Sequence, residues 1–345
     1  MGALSASMLA IGSGTDLLAD ETPTDSTKAE VTKPDRSALK FHDGEFKILQ
    51  LTDLHLSFYD EEETEQAINS LQFARELTLL EKPDLVILTG YIITGFPNTL
   101  TGWIQEAWDR VGEIFVELNI PYAVTLGNHD YDLRISPKEV MAMIEKNPRN
   151  ITMSDDPSLS GTGNTVLSIL ASDGLTPRWN LWLLDSHSYP VIPGDNGEYD
   201  WIRNDQIQWY RKTSEALNAN LDAPLPALAF FHIPLPEYHI VGRQPDKLGE
   251  KNEEVCSPEL NSGLFTSFLE MRDVLGVFVG HDHFNDYLGV YKNILLAYGR
   301  KTGTTGYKNL AFGGRTIILK ENERRFDTYI VTPTEKTRHF TFQRS

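Results

Sequence analysis

Residues 46–55 read Phe-Lys-Ile-Leu-Gln-Leu-Thr-Asp-Leu-His, an apolar run that ends in two candidate metal ligands, Asp53 and His55. Apolar and polar positions mix through Phe46–Thr52 roughly as they do in a half-buried β-strand. A strand that delivers a carboxylate and an imidazole to its carboxyl end is typical of an α/β protein with its site at the sheet edge.

The rest of the chain alternates predicted strands with predicted helices. Leu85–Leu88 is a short apolar run that is typical of a strand buried on both faces. The spacing of apolar residues predicts helices at 61–80, 103–118, 203–219 and 261–271, and further strands at 121–126, 165–170, 179–185, 227–231, 275–279, 293–298, 315–320 and 326–332. This alternation indicates parallel strands joined by crossover helices.

Short polar motifs recur along the chain, most of them directly after an apolar run. They are Asp53-Leu54-His55, Gly90-Tyr91, Gly127-Asn128-His129-Asp130, His232 and Gly280-His281-Asp282-His283. Asp, Asn and His are ligands for hard or borderline divalent metals, and two such ions can clamp a phosphoryl group. Each motif alone is weak evidence, since a histidine after a strand is more often structural than a ligand. Together, in this order, they predict one dinuclear metal site.

The composition excludes several classes of partner and site. The net charge is −18 and the pI is about 4.9, which disfavours binding to nucleic acid or to an anionic membrane surface. The only cysteine is Cys256, so neither a disulfide within the chain nor a multi-thiolate zinc site can form. A small buried apolar side chain is the interpretation favoured for Cys256. No apolar run approaches the ~18 residues of a transmembrane span.

The first 38 residues are predicted to be disordered and residues 39–345 to form the folded domain. Asp, Glu, Thr, Ser and Pro dominate residues 20–38, a composition that cannot form a core. Met8–Ile11 resembles a degenerate signal peptide, but no Lys or Arg precedes it and Asp16 interrupts the apolar stretch. A cytoplasmic and a secreted location therefore both stay open.

The series of motifs resembles the calcineurin-like metallophosphoesterases, a superfamily that includes the purple acid phosphatases. The resemblance runs from about residue 44 to about residue 332. Other stretches resemble one branch of the superfamily, which holds fungal cell-cycle phosphatases and plant purple acid phosphatases. Several of the plant proteins are regarded as probably inactive. The stretches are Leu183–Ser186, Tyr199–Ile202, Phe231–Tyr238, Asn285–Tyr287 and Tyr298–Gly303. The resemblance implies a four-layer α/β/β/α sandwich with two mixed sheets.

The resemblance also implies roles for individual residues. Asp53, His55 and His283 would hold one metal ion, and Asn128, His232 and His281 would hold another. The ions would be Fe, Mn or Zn, and a hydroxide between them would attack the phosphate ester. His129 would contact the phosphate and protonate the leaving oxygen, while Asp130 would orient His129.

Tyr91 occupies the position at which the family carries an aspartate that bridges both ions. A phenol bridges metals poorly and has a reference pKa near ~10. Only the Asp53 carboxylate would then relieve the repulsion between two cations. A site that binds one metal weakly or none is favoured, while an aromatic plug in a dead cleft and a sequence error stay open. Thr94 stands where the purple enzymes carry a tyrosinate, so no colour is expected.

The resemblance and Tyr91 together give two functions from different classes. The first is a metal-dependent phosphoesterase with impaired activity, acting on a phosphoprotein or a small phosphate ester. The second is an inactive pseudophosphatase that serves as a binding module. A nuclease of the same superfamily is disfavoured, because the chain shows no basic track. Arg300 and Lys301 are interpreted as facing either the cleft or solvent, and Tyr199, Trp201 and Trp209 as core residues.

Overall fold

The computed structural model describes residues 36, 39–94, 101–153, 156, 158–190, 199–305 and 310–344. The segment 1–38, predicted to be disordered, lies outside these residues apart from Arg36. The Nε of Arg36 donates a hydrogen bond of 3.0 Å to the Ile151 carbonyl oxygen. All the described residues belong to one compact unit, Lys33–Ser345.

Strands and helices alternate through the first three quarters of the chain. The strands are β1 Glu45–Leu51, β2 Leu85–Thr89, β3 Tyr122–Thr125, β4 Thr165–Leu170, β5 Pro177–Leu183, β6 Ala227–Phe230, β7 Val274–Val279, β8 Leu288–Tyr291, β9 Ile294–Tyr298, β10 Gly314–Lys320, β11 Arg325–Val331 and β12 Lys336–Gln343. The helices are α1 Glu61–Glu81, α2 Thr101–Leu118, α3 Pro137–Ile144, α4 Asn204–Asn218, α5 Tyr238–Gly242 and α6 Leu264–Met271. None of the described helices combines the length and the hydropathy needed to cross a membrane.

The strands form two mixed six-stranded sheets, of order β12-β11-β10-β1-β2-β3 and β4-β5-β6-β7-β9-β8. In the first sheet β1, β2 and β3 are parallel, and in the second β5, β6, β7 and β9 are parallel. Crossover helices connect these parallel neighbours, except β7 and β9, which are connected through β8. The carboxyl ends of the parallel strands therefore share one edge in each sheet.

Three apolar clusters separate four layers. The central cluster joins the facing surfaces of the two sheets and includes Ile48, Leu228 and Phe326. A second cluster packs α1, α2 and α3 against the outer face of the first sheet. A third packs α4, α5 and α6 against the outer face of the second sheet. The predicted α/β fold with two mixed sheets is confirmed.

The structure contains elements that the sequence pattern did not predict, among them α3, α5, β8 and β12. They are short, or they lie at a sheet edge where few side chains are buried, so their sequences show little apolar periodicity. In β12, only Phe342 is fully buried, and the other side chains are exposed or half-buried. An edge strand of this kind carries too few apolar positions to be distinguished from a loop.

Candidate metal centre

The predicted ligands all follow strands, at the edge where the parallel strands end. Asp53 and His55 follow β1, and Asn128 and His129 begin a short 3₁₀ helix after β3. His232 follows β6. His281 and His283 follow β7. Strands of both sheets thus contribute predicted ligands to the same region of the protein.

Asp53, His55 and His283 converge as one group of three ligand atoms that all lie within 4.8 Å of one another. The Nε2 atoms of His55 and His283 face each other at 3.0 Å. Asp53 Oδ1 lies 3.5 Å from His283 Nε2 and accepts no hydrogen bond within the described part of the chain. The other carboxylate oxygen of Asp53 accepts from the Thr52 hydroxyl at 2.8 Å, which fixes the carboxylate plane.

Asn128, His232 and His281 converge as a second group beside the first. His232 Nε2 lies 3.0 Å from Asn128 Oδ1 and 3.3 Å from His281 Nδ1. The other ring nitrogen of His232, Nδ1, lies 2.7 Å from the Thr89 carbonyl oxygen and must therefore carry the proton. The Asn128 side-chain amide donates to the Tyr189 hydroxyl at 3.3 Å. The backbone N–H of His281 links the groups, because it donates to Asp53 Oδ2 at 3.2 Å.

Several of these residues have left-handed backbone conformations. The φ angles are +55° at Asp53 and His55, +50° at Tyr91 and +77° at His281. Such angles are uncommon for residues other than glycine and concentrate at functional sites. Asp53, His55 and Tyr91 lie where β1 and β2 continue to pair irregularly beyond their ends, through Asp53 N–H to Gly90 O at 3.1 Å and His55 N–H to Tyr91 O at 3.1 Å.

The segment after β9 holds this part of β1 in place. Lys301 Nζ and the backbone N–H of Gly303 both donate to the Asp53 carbonyl oxygen, each at 3.1 Å. The Thr302 N–H donates to the Thr52 carbonyl oxygen at 2.9 Å. Lys301 is only 4% exposed, so it is neither solvated nor on a surface rim. Burial lowers the pKa of its ammonium group to about 8.

Tyr91 lies between two of the predicted site histidines. Its ring stacks on His55 at a centroid distance of 3.6 Å and an interplanar angle of 27°. The centroids of the Tyr91 and His129 rings lie 4.1 Å apart, with an interplanar angle of 33°. Burial raises the pKa of the Tyr91 phenol to about 12, so the hydroxyl stays neutral. The aromatic ring therefore fills space between the first group of ligands and His129.

The carboxylate that contacts His129 is Asp132, which lies 2.6 Å from the ring Nδ1. Asp130 is fully buried and turns away from the imidazole. Its carboxyl group accepts hydrogen bonds of 2.8–3.2 Å from the backbone N–H groups of Gly127, Ile92 and Ile93. The prediction that Asp130 orients His129 is therefore wrong. Asp130 instead fixes the loop after β3 against the loop after β2, and burial raises the pKa of its carboxyl group to about 7.

Burial lowers the pKa of three imidazoles in the two groups and so favours their neutral form. It lowers the pKa of His55, with the Lys301 charge as a second cause, and it lowers the pKa of His232 and His281 as well. Burial alone would raise the pKa of Asp53, but the His283 imidazole 3.5 Å away and the adjacent His232 and His55 imidazoles outweigh it and hold the pKa below its usual range. The site therefore combines the ionised Asp53 carboxylate with neutral imidazoles at His55, His232 and His281.

Sequence analysis missed several residues of the site. Asp132 lies two positions beyond the Gly127–Asp130 motif, and both interpretations of Lys301 were incomplete. Tyr199 is not a core residue, since its ring stands edge-on to His281 at 4.5 Å. Tyr189 is 44% exposed and contacts Asn128 through its hydroxyl. Aromatic residues in loops carry no periodic signal, so only the structure could assign them.

The geometry agrees with what the chain matches among known proteins. The sequence model described as calcineurin-like phosphoesterase matches residues 46–285. The chain belongs to this family. It is 31% identical over 313 residues to "Probable inactive purple acid phosphatase 14" of Arabidopsis thaliana, covering 83% of this chain and 77% of that protein. It is 32% identical over 321 residues to "Probable inactive purple acid phosphatase 29" of the same plant, covering 84% and 81%.

A fungal protein and a solved structure extend the comparison. The chain is 30% identical over 322 residues to "Phosphatase DCR2" of Saccharomyces cerevisiae, covering 86% of this chain but 53% of that protein. A dimetal phosphatase from Danio rerio superposes with a TM-score of 0.61 at 13% identity, covering 87% of this chain and 99% of that one. At this identity the likeness concerns the fold alone.

The calcineurin-like phosphoesterase fold implies divalent metal ions, and the donor set of this chain fits at least one. Asp53 Oδ1 is a buried, ionised oxygen without a hydrogen-bond donor in the described residues. Beside this oxygen, the Nε2 atoms of His55 and His283 face each other at 3.0 Å. This arrangement suits a bound cation better than a shared proton. Carboxylate oxygen and imidazole nitrogen are common ligands of zinc and manganese.

Proposed function

We propose that this chain is a metal-dependent phosphoesterase whose turnover is strongly lowered by Tyr91. The observation that carries the proposal is the convergence of six Asp, Asn and His side chains from both sheets at the carboxyl ends of the strands. Asp53, His55 and His283 would hold one ion, and Asn128, His232 and His281 would hold a second more weakly. Bound ions would supply Lewis-acid charge to a phosphoryl oxygen and a lower pKa to water.

The side chains around the ligands suit the remaining steps of ester hydrolysis. His129 is about one-third exposed, and its Nδ1 contacts Asp132. Nε2 is thus the ring nitrogen left to give a proton to the leaving oxygen of a phosphate ester. Asp132 would act as a positioning residue, because its contact fixes the orientation of the imidazole. Tyr189 and Tyr199 lie beside the second group of ligands, where they would contact the organic part of the ester.

Tyr91 accounts for the expected loss of rate. We propose that it stands where active family members place a bridging aspartate. Two dications about 3.5 Å apart repel by about 19 kcal/mol at an effective dielectric constant of about 20. Relief of that repulsion requires anions, and the Tyr91 phenol, whose pKa is about 12 before any ion binds, is a poorer source of negative charge than a carboxylate. Asp53 remains as the only carboxylate among the proposed ligands, so the second ion should bind weakly.

The test compares the native chain with Tyr91→Asp and Tyr91→Phe in the hydrolysis of an aryl phosphate with added Mn²⁺. Tyr91→Asp should raise turnover by at least about 10–100-fold. Loss of a residue that only supports a metal ligand already lowers activity by this factor, and a direct ligand should matter more. Tyr91→Phe keeps the ring without the hydroxyl and should leave turnover low. If the native chain turns over as fast as Tyr91→Asp, then Tyr91 is a competent ligand and the proposal fails.

A pseudophosphatase that binds phosphate esters without hydrolysing them is the second candidate. The packing of the Tyr91 ring between His55 and His129 favours it, since the ring separates the first ligand group from the proposed acid. The names of the two plant relatives, which include the word inactive, point the same way. Metal-dependent binding of an aryl phosphonate, with no turnover of the aryl phosphate in the native chain, would favour this candidate over the weakened enzyme.

A further inference from the structure

Cys256 lies beside the candidate metal centre, close to a histidine and an aspartate. One ligand atom from each of Cys256, His281 and Asp282 lies within 4.8 Å of the other two. Both Cys256 and Asp282 stand outside the two ligand groups described above. Only His281 is shared with them.

The contacts of the second ligand group leave one ring nitrogen of His281 without a partner. His281 Nδ1 lies 3.3 Å from His232 Nε2, which also lies 3.0 Å from Asn128 Oδ1. The remaining nitrogen of His281, Nε2, is buried and has no hydrogen-bond partner within the described part of the chain. A buried polar atom without a partner is costly unless a ligand supplies one.

Asp282 is held rigidly next to Cys256. Its carboxylate is 4% exposed and accepts from the Tyr298 hydroxyl at 2.5 Å. The backbone N–H of Cys256 donates to both carboxylate oxygens, at 3.2 and 3.3 Å. These bonds anchor the backbone of Cys256 to the Asp282 carboxylate at the end of β7.

We propose that Cys256 Sγ, His281 and the Asp282 carboxylate form a binding site for a thiophilic divalent ion such as Zn²⁺, Co²⁺ or Cd²⁺. A thiolate with an imidazole and a carboxylate is a donor set for such ions, whereas Mn²⁺ prefers oxygen ligands. Ligand atoms around a tetrahedral zinc ion lie about 3.4–3.6 Å apart, so small side-chain rotations would close the present spacing. Binding releases the thiol proton to solvent as the thiolate coordinates the ion.

This site would compete with part of the candidate metal centre. His281 belongs to both sets of ligands, and two dications sharing one imidazole repel each other. An ion on Cys256 therefore weakens the hold of Asn128, His232 and His281 on another ion. The Cys256 site can bind its ion whether or not the chain hydrolyses phosphate esters. This thiophilic ion is additional to the metal ions of the proposed function.

Co²⁺ titration of the full chain tests the proposal, because Cys256 is the only cysteine. A sulfur-to-cobalt charge-transfer band in the near ultraviolet can therefore come from no other residue. The fraction of reactive thiol is measured first with a thiol reagent. We expect the native chain to show the band, Cys256→Ser to lose it, and His281→Gln and Asp282→Asn to bind Co²⁺ at least about tenfold more weakly. Asp53→Asn should keep the band, because it removes a ligand only from the first group.

Two results would overturn the proposal. One is a chain with a fully reactive thiol that shows no charge-transfer band at saturating Co²⁺. The other is a band of unchanged intensity and affinity in His281→Gln, which would mean that the thiol binds cobalt without the imidazole. Neither result bears on the proposed hydrolysis, which is measured with Mn²⁺ at the Asp53 group. Circular dichroism of each variant confirms that the chain is folded before the spectra are compared.

Discussion

The two ends of strand β7 carry buried polar groups in opposite states. Asp273, directly before the strand, accepts hydrogen bonds from the Tyr210 hydroxyl, from the Ser214 hydroxyl at 2.8 Å and from the Val274 N–H at 2.8 Å. His281, directly beyond the other end, has a left-handed φ of +77° and a buried Nε2 without a partner among the described residues. One strand thus joins a satisfied polar cluster to an unsatisfied one.

We infer that the polar groups at the two ends of β7 serve different purposes, stability at the amino end and ligand binding at the carboxyl end. A satisfied buried cluster stabilises the fold, and removing one partner leaves another buried and unpaired. An unsatisfied polar atom on a strained backbone costs stability and is retained where a ligand supplies the missing partner. The carboxyl ends of β1 and β7 have this second character, and the amino end of β7 has the first. Mutations at the two ends should therefore affect different measurements.

The largest effect is expected at the carboxyl end of β1, in Asp53→Asn. This change removes the only carboxylate of the proposed ligand set, so the affinity for Mn²⁺ should fall by more than the ~10–100-fold seen when a supporting residue is lost. Isothermal titration calorimetry measures the affinity, and circular dichroism should show that the variant stays folded. The matched control is Asp273→Asn, the same chemical change at the amino end of β7, which should keep the Mn²⁺ affinity.

A somewhat smaller effect is expected from Gly303→Ala, which acts on the backbone of Asp53. A methyl group at Gly303 would collide with the carbonyl oxygens of Leu54 and Asp53. The shift would move the Asp53 carboxylate, so Mn²⁺ affinity should fall by about 10–100-fold while the chain stays folded. Gly102→Ala is the control, because a methyl group there meets nothing within 4 Å. An unchanged affinity in Gly303→Ala would show that this segment does not position Asp53.

Asp273→Ala should have the reverse profile of Asp53→Asn. The Tyr210 and Ser214 hydroxyls and the Val274 N–H would lose their acceptor in a buried setting. We expect the free energy of unfolding to fall by about 1–3 kcal/mol, the cost of leaving a buried polar group unsatisfied. Urea denaturation measures the loss. A simultaneous fall in Mn²⁺ affinity would mean that the two ends of β7 are not independent.

The smallest effect concerns pH. Burial raises the pKa of the Asp273 carboxyl group, although the hydrogen bonds from Tyr210 and Ser214 oppose the shift. A raised pKa in the folded state contributes stability below the unfolded pKa of about 3.9, and that stability is lost as the pH rises through the folded pKa. The native chain should therefore lose stability relative to Asp273→Asn as the pH increases from about 4. A constant difference across that range would contradict the assignment.

Sequence patterns predicted much of this fold because the buried strands and amphipathic helices carry strong periodicity. Leu85–Leu88 lies within β2, and the helix expected at 61–80 is α1. The polar motifs were visible because most of them follow a strand end, and the resemblance to the phosphoesterases singled out the six ligand positions within them. The partner of His129 could not be predicted, since the choice between Asp130 and Asp132 depends on the direction of one 3₁₀ turn. Cys256 and Tyr199 approach His281 from loops, which short-range patterns do not place.

The number of Mn²⁺ ions bound per chain tests the central claim most directly, because Mn²⁺ reports the carboxylate and imidazole ligands and not the thiol. Equilibrium dialysis at micromolar protein should give one ion for the native chain, none for Asp53→Asn and two for Tyr91→Asp. Two tightly bound ions in the native chain would contradict the role given to Tyr91. No bound ion in either the native chain or Tyr91→Asp would contradict the metal centre itself.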